Sequence, residues 1–332
     1  MIDLNNKTLD GRVIIKAEDF DLSYVADNND KFSCWINTSP RFLFKANSLG
    51  TIDECEILSH YIAKAVGVDS VNVFPAVFID DKGNYLTGVL SEDFIKDRQK
   101  SENIRTSNIV GSGIGNGVYN HVKCLQNLAV ESLKQNKFLL IDEHIETNLL
   151  KMCLFDYLTF QKDRAKRNIE YIYEKNDMED NSGTIYLAPM FDNSWMFYAH
   201  HTSMFNEIFN DLLQCKNEKE RFEYLNQKTK NFNFEFFVKT TSFFIGSQKT
   251  IFTNELCAQI LKNERLYDVY INFKNLNLNK IQQQIQKELN FKIDDDLIFV
   301  AQNLFNFQYN NLEQFLNMRR EQNFIRQSLF EF

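Results

Sequence analysis

The sequence FQKDRAKRN, residues 160–168, decides the fold of this chain. It places two side chains with oxygen atoms, Asp163 and Asn168, five residues apart, where an apolar helical pattern ends and a β-prone run begins. Phosphoryl transfer needs a carboxylate beside the acceptor hydroxyl and oxygen ligands for Mg²⁺, which is a hard cation. Asp163 is therefore expected to orient the acceptor hydroxyl or accept its proton, and Asn168 to bind the metal.

A second short motif follows at a fixed place after the first. Two β-prone runs, near residues 169–174 and 184–188, flank a turn-rich segment, so the sequence predicts a hairpin. The hairpin leads into LAPMFD, which ends on Asp192. A returning hairpin would let Asp192 hold Mg²⁺ against the β- and γ-phosphates. Each residue alone is more typical of a loop or a cap than of a catalytic site. Their order and spacing together indicate a magnesium-dependent kinase.

A lysine in the first part of the chain completes the set. Lys45 closes the apolar run that begins at Arg41, and a helical segment with two carboxylates, Glu54 and Glu56, follows it. A lysine that contacts the α- and β-phosphates is commonly held by a helix carboxylate. Glu56 is the preferred partner because it begins the apolar face of that helix, and Glu54 is the alternative.

The spacing of apolar residues divides the chain into a β-rich part and a helical part. Strands are predicted at Arg12–Lys16, Phe32–Ile36, Arg41–Lys45, Asn72–Ile79 and Tyr85–Leu90, with one helix at Ile52–Val66. Helices are predicted near residues 119–135, 142–161, 203–228 and 247–264, and several more between 278 and 328. The expected fold is α+β and two-lobed, with a small β-rich N-lobe (1–95) and a larger, mainly helical C-lobe (96–332).

These segments, in this order, resemble the HipA-like and CtkA-like bacterial protein kinases, whose fold is related to that of phosphatidylinositol kinases. The matching stretches are Phe42–Asn47, Glu56–Val68, Gly88–Phe94, Asp163–Asn168 and Ala188–Asn193. The resemblance covers residues 30–200, and the remainder fits only as further helices of the larger lobe.

The resemblance implies phosphorylation of protein Ser or Thr, with ATP and Mg²⁺ as cofactors. It implies that the interlobe hinge at Glu92, Asp93 and Phe94 meets adenine. A protein substrate is the expected partner, and an antitoxin or another regulatory partner stays open. Two other readings also stay open: a lipid or small-molecule kinase of the same fold, and a nucleotide-binding pseudokinase that acts as an interaction module.

The sequence departs from the family pattern at two places. No Gly-rich loop precedes Lys45, so Ala26–Ser39 is expected to cover the phosphates, with Ser33, Asn37 or Thr38 as contacts. Relatives often carry His two residues after the catalytic Asp, where this chain has Ala165; Arg164 or Lys166 is a candidate for the missing contact. The basic residues of this loop, Lys162, Arg164, Lys166 and Arg167, are expected either to lie in solvent or to balance the charge of phosphate or of an acidic substrate.

Composition excludes several other classes. A net charge of −8 argues against a general nucleic-acid binder, which needs a basic surface. No apolar stretch is long enough to span a membrane, and the N-terminus lacks a signal-peptide pattern. The six cysteines stand singly, which indicates reduced thiols rather than a zinc site. The expected location is cytoplasmic, with secretion as an effector left open.

The glycine-rich residues 111–117 lack the ending of a P-loop and are expected to form a mobile loop.

Overall fold

The computed structural model describes twelve parts of the chain, and everything below concerns these parts. They are residues 1–28, 31–47, 52–96, 101–105, 117–135, 137–161, 163–164, 168–176, 182–199, 202–231, 245 and 252–330. Residues 111–116 of the glycine-rich segment lie outside them.

A six-stranded sheet forms the N-terminal part of the molecule. Its strands are β1 (Val13–Lys16), β2 (Leu22–Asn28), β3 (Lys31–Ile36), β4 (Phe42–Asn47), β5 (Val73–Ile79) and β6 (Tyr85–Glu92). The strand order is β1-β5-β6-β4-β3-β2, in which β1 and β5 are parallel and all other neighbours antiparallel. The sequence predicted each of these strands except β2.

Strand β4 shows how the sheet separates its two faces. Side chains alternate along a strand, so Phe42, Phe44 and Ala46 point to one face, where they join a buried apolar core. Lys45 points to the other face. On β6, the residue that pairs with Lys45 is Val89. Val89 belongs to a second apolar core, which lies on this other face of the sheet.

Helix α1 (Ile52–Val66) covers that face, with the bounds that the sequence predicted. Ile57, Leu58 and Ile62 are fully buried. The far side of α1 meets the C-terminal helices, where the Tyr61 hydroxyl donates a hydrogen bond to Glu288 Oε2 at 2.9 Å. The helix is therefore buried between the sheet and the larger lobe.

A second, four-stranded sheet lies in the C-terminal part. It has the order β7 (Ser101–Arg105), β9 (Glu170–Lys175), β10 (Ser182–Leu187), β8 (Phe138–Ile141). The antiparallel pair β9–β10 is the predicted hairpin. Strand β7 pairs with β9 in antiparallel orientation, and β8 pairs with β10 in parallel orientation. The sequence predicted neither β7 nor β8.

Helices make up most of the rest of the C-terminal part. They are α2 (Val118–Lys134), α3 (Ile145–Thr159), α4 (Thr202–Gln214), α5 (Glu218–Asn231), α6 (Phe252–Lys262), α7 (Glu264–Lys274), α8 (Leu278–Leu289) and α9 (Asp295–Phe330). The single helix predicted near residues 203–228 is two helices, since the chain turns at 215–217. Among the described helices, none has the length and apolar character that crossing a membrane requires.

The architecture is α+β, with a sheet-based N-terminal part and a mainly helical C-terminal part, as predicted. The division of the chain between residues 95 and 96 stays a prediction.

Candidate active site

The loop after α3 carries the first predicted pair of site residues. Helix α3 is buried almost all round, and Phe160 ends it in the left-handed region with φ 54°. The Asn168 side-chain amide donates to the Asp163 carbonyl at 2.6 Å and lies 3.4 Å from Asp163 Oδ2. The two residues are therefore in direct contact, and the Asp163 carboxyl is half-buried.

A buried glutamine connects this loop to the segment that follows the hairpin. The Gln161 amide group donates to the Asp192 carbonyl at 3.3 Å, and its oxygen lies 3.5 Å from the Asp163 backbone nitrogen. Because the Gln161 side chain is fully buried, it holds the two segments side by side. The sequence did not single out Gln161, since an isolated glutamine gives no signal of burial.

Lys45 and Asp192 meet across the two lobes. The Lys45 ammonium lies 3.4 Å from Asp192 Oδ1 and 3.9 Å from Glu56 Oε1. Glu56 is 3% exposed, Lys45 25% and Asp192 35%, so the group opens toward solvent on the Asp192 side. Asp192 has φ 56°, a left-handed conformation that Asp adopts more readily than most residues.

Glu56 also fixes the segment behind Asp192. Its Oε2 accepts a hydrogen bond from the Asn193 backbone N–H at 3.1 Å. Glu54, the alternative partner of Lys45, points elsewhere, because its Oε2 accepts from the Asp294 backbone N–H at 2.9 Å. In the structure Glu56, and not Glu54, contacts the lysine.

The pKa values of this group reflect its burial and its charges. Burial alone would lower the pKa of Lys45, but the carboxylates of Asp192 and Glu56 outweigh it, and the pKa is raised above its usual value. Burial also raises the pKa of Glu56, although Lys45 opposes this. Lys45 is accordingly a permanent cation at neutral pH.

Arg164 has a different place from the one predicted. It is fully buried, and its guanidinium makes a two-pronged contact with Asp156 of α3 through Nε and Nη2, at 3.0 Å each. Because the side chain is fully buried, the prediction that Arg164 lies in solvent is wrong. Its balancing of phosphate or substrate charge, and its replacement of the contact that His makes in relatives, stay predictions. The other members of the basic cluster, Lys162, Lys166 and Arg167, and Ala165 lie outside the described residues.

The hinge segment continues from β6. The backbone N–H of Glu92 donates to the Asn72 carbonyl and that of Asp93 to the Arg41 carbonyl, at 2.9 Å each. The Asp93 carboxylate accepts from the Ile95 N–H at 3.0 Å and is buried. Of the three predicted hinge residues, Glu92 and Asp93 therefore use their amides to fix the segment, which leaves the Phe94 amide as the candidate donor to a base.

A pair of aromatic rings joins the hinge to the end of LAPMFD. The rings of Phe94 and Phe191 stack with their centroids 5.9 Å apart and an interplanar angle of 29°. Phe191 directly precedes Asp192, so this contact places the hinge beside the proposed metal-binding segment.

The predicted phosphate cover is largely a β-hairpin. Ala26–Ser39 contains β3 and the end of β2, and residues 29–30 between them lie outside the described part. Ser33 pairs with Lys45 and shares its face of the sheet. Asn37 and Thr38 lie beyond the opposite end of β3, where their side chains bond to Asp21, Ser23 and the Pro40 carbonyl. Ser33 is thus the one of the three whose position suits a phosphate contact.

The donor set at the site suits magnesium bound together with a nucleotide. Asn168 offers the oxygen of its side-chain amide, and Asp192 offers its carboxylate. Oxygen atoms of these kinds are the ligands that Mg²⁺ prefers. Across the described ranges, no three His, Cys, Asp or Glu side chains cluster into a metal site. Magnesium in a nucleotide site takes only one or two ligands from the protein and the others from phosphate and water.

Comparison with known proteins supports the fold. No protein-family model matches the sequence, and no curated protein matches it. The crystal structure of the Helicobacter pylori proinflammatory kinase CtkA is similar to this chain, with a TM-score of 0.60 and 13% sequence identity. The similarity covers 94% of this chain and 99% of the CtkA chain.

A second solved structure is more distant. HipA of Shewanella oneidensis MR-1, determined with HipB and its operator DNA, has a TM-score of 0.43 and 12% identity, over 89% of this chain and 66% of that chain. The similarity to CtkA shows that the chain has a CtkA-like kinase fold over nearly its whole length. This confirms the resemblance seen in the sequence at the level of the fold.

Proposed function

We propose that this protein is a Mg²⁺- and ATP-dependent kinase that transfers the γ-phosphate to Ser or Thr hydroxyls of a protein. The observation that carries the proposal is the position of Lys45 between Glu56 and Asp192, 3.9 and 3.4 Å from their carboxylates. Three residues distant in sequence meet at one point of a kinase fold, and Gln161 connects Asp192 to the loop of Asp163.

Each residue has a role that follows from its surroundings. Lys45, a cation held by a buried carboxylate, would neutralise the α- and β-phosphates. Asn168 and Asp192 would bind the metal, which neutralises charge that develops on the transferred group. Asp163 would orient the acceptor hydroxyl and take its proton, since its half-buried carboxylate stands beside Asn168.

The adenine base would occupy the space beside the hinge. The Phe94 N–H is the proposed donor, because the amides of Glu92 and Asp93 are already bonded within the protein. The stacked rings of Phe94 and Phe191 offer an apolar boundary for a planar base. Glu92 and Asp93 then support the hinge instead of touching the base with their amides.

Transfer of labelled phosphate tests the proposal. The protein is incubated with radiolabelled ATP, Mg²⁺ and candidate proteins, and labelled residues are identified. Asp163→Ala and Asp192→Ala are expected to lower transfer by about 100- to 10,000-fold. Glu174→Ala, which removes an exposed carboxylate from β9, is the matched control and should retain wild-type activity. Absence of transfer, or transfer that survives both site variants, would overturn the proposal.

The acceptor is tested in the same assay. Label that appears on a lipid or a small molecule, and on no protein, would replace the protein acceptor with the alternative one on the same fold. Thermal stabilisation by Mg-ATP without any turnover would instead indicate a nucleotide-binding pseudokinase. An antitoxin or another regulatory partner stays open. A cytoplasmic location stays an expectation from the singly placed cysteines and the lack of a signal-peptide pattern.

A further inference from the structure

Arg164 bonds to both segments that carry the proposed metal ligands. Beyond its contact with Asp156, its Nη1 donates to the Asn168 carbonyl at 3.3 Å and to the Phe191 carbonyl at 3.1 Å. Its Nη2 donates to the side-chain oxygen of Asn193. These acceptors belong to Asn168 itself and to the residues on either side of Asp192.

We propose that Arg164 is a positioning residue that sets the spacing between Asn168 and Asp192. The inference rests on the Mg-ATP site of the proposed function. A guanidinium is planar and rigid, with donors in fixed directions, so one Arg164 can fix several backbone acceptors relative to one another. Asp156 fixes the guanidinium in turn, because α3 is rigid and buried and the contact uses two parallel hydrogen bonds.

The arrangement extends from Arg164 to the proposed phosphate-binding lysine. Asn193 accepts from Arg164 through its side chain and donates to Glu56 through its backbone N–H. Glu56 in turn contacts Lys45. One line of polar contacts therefore runs from α3, through the catalytic loop and the metal-binding segment, to α1 and β4.

Stability alone does not account for an arginine at this position. A fully buried ion pair costs desolvation energy and can often be replaced by apolar side chains without loss of stability. Arg164 donates its other hydrogen bonds to the backbone carbonyls of Asn168 and Phe191 and to the side chain of Asn193. Residues that orient metal ligands from behind typically change metal affinity about 10- to 100-fold when they are replaced.

A double-mutant cycle at Arg164 and Asp156 separates an effect on Mn²⁺ affinity from an effect on stability. Arg164→Met and Asp156→Asn each leave one buried charge without its partner, and both are expected to lower the melting temperature. The variant with both changes has no unpaired charge and should recover part of that loss. Binding of Mn²⁺ with a non-hydrolysable ATP analogue, measured by titration of free Mn²⁺, should nevertheless stay weaker than in the wild type by about 10- to 100-fold.

Two further variants test the role of the planar guanidinium and control for a loss of stability alone. Arg164→Lys keeps the charge but has no planar fork, so it should bind Mn²⁺ as weakly as the double variant. Asn263→Ala removes the side-chain cap of α7, which accepts from the Leu266 N–H, and should lower the melting temperature without changing Mn²⁺ affinity. Wild-type Mn²⁺ affinity in the double variant would overturn the inference.

The outcomes also separate this inference from the proposed function. Phosphate transfer by the wild type together with unchanged Mn²⁺ affinity across the cycle contradicts the inference and leaves the function standing. Tight Mn²⁺-nucleotide binding that the cycle weakens, without any transfer, contradicts the function and supports the inference. A wild type that binds neither Mn²⁺ nor nucleotide contradicts both.

Discussion

Lys45 lies between two carboxylates that differ in their exposure to solvent. Its ammonium stands between a carboxylate that is 3% exposed and one that is 35% exposed, so it links a buried anchor to an open site. A lysine in this setting remains charged, since the two carboxylates raise its pKa despite its burial.

Replacement of this lysine tests its role. Lys45→Met should lower phosphate transfer by about 100- to 1,000-fold, because it removes a fixed positive charge from the phosphates. The free energy of unfolding should fall by about 1–3 kcal/mol, since the buried Glu56 loses its cation. Chemical denaturation and initial rates measure both quantities.

The control lies on the helix that carries Glu56. Lys64 is exposed near the end of α1, and Lys64→Met removes the same charge without touching the site. Rates for Lys64→Met that fall as far as those for Lys45→Met would show a general charge effect and contradict the role of Lys45.

At the scale of single residues, spacing predicted more than composition did. Asp163, Asn168 and Asp192 were predicted from their spacing along a loop and a hairpin, and the structure places Asp163 beside Asn168 and Asp192 beside Lys45. Their chemical roles stay predictions. Arg164 was misread because it stands among Lys162, Lys166 and Arg167, and charged residues in such a run are usually exposed. Its burial depends on Asp156, a helix residue whose role becomes visible only when the loop folds back onto α3.

Gly88 allows strands β4 and β6 to lie close together beside Lys45. A Cβ at this position would lie 2.1 Å from the Lys45 carbonyl oxygen, far closer than any allowed contact. The absence of a side chain is therefore required where β6 passes Lys45.

Gly88→Ala should displace β4 and, with it, Lys45. We expect the free energy of unfolding to fall by about 1–3 kcal/mol and the KM for ATP to rise. Gly83→Ala is the matched control in the β5–β6 turn, where φ is +81° and a Cβ meets nothing within 4 Å. It should lower stability by about 1 kcal/mol through backbone strain alone. An unchanged KM in Gly88→Ala would contradict this account of the strand pair.

At the start of helix α1, Asp53 contacts Arg12, the residue that precedes β1. Asp53 lies 3.5 Å from Arg12 Nη1, and burial raises the pKa of Asp53 from 3.8 to about 6, although Arg12 opposes the change. The folded protein thus holds this proton more tightly than the unfolded chain does. The contribution of Asp53 to stability is fully present below pH 3.8 and is lost as the pH rises through about 6.

Unfolding at several pH values measures this contribution. The two pKa values correspond to a loss of at most about 3 kcal/mol from Asp53 between pH 4 and pH 7. Asp53→Asn cannot titrate, so its free energy of unfolding should decline less over this interval than that of the wild type. Parallel curves for the two proteins would refute the assignment.

Most helices and strands were predicted from the spacing of their apolar residues, whereas three edge strands, β2, β7 and β8, were not. Strand β4 alternates clearly because Phe42, Phe44 and Ala46 line the apolar core on one face of the first sheet. Strand β7 was missed because four of its five residues are polar, and β2 because the exposed Ser23, Tyr24 and Val25 do not alternate between apolar and polar. Both strands lie at the edge of their sheet. Strand β8 is a short apolar run at the edge of a sheet that is formed by partners distant in sequence.

The whole molecule joins its two parts through α1 and through the site. Helix α1 packs on the first sheet and bonds to Glu288 of α8 through Tyr61, while Lys45 meets Asp192 across the cleft. Such shared burial makes independent unfolding of the two parts unfavourable.

The two tryptophans test this cooperativity. Trp35 lies on β3 and Trp195 follows Asp192, so each reports on one part of the molecule. In the single-tryptophan variants Trp195→Phe and Trp35→Phe, the fluorescence transitions in urea should coincide at one midpoint. Two separate midpoints would show that the parts unfold independently, and would favour a domain boundary at residues 95 and 96 that is also a folding boundary.

In the proposed site, Lys45, Asn168 and Asp192 hold Mg-ATP beside Asp163. A crystal structure with Mg²⁺ and a non-hydrolysable ATP analogue would show whether they do. We expect one Mg²⁺ with Asn168 and Asp192 oxygens at about 2.1 Å, the Lys45 ammonium on the phosphates, and the base at Phe94. A nucleotide bound elsewhere, or a metal that touches neither Asn168 nor Asp192, would contradict the account.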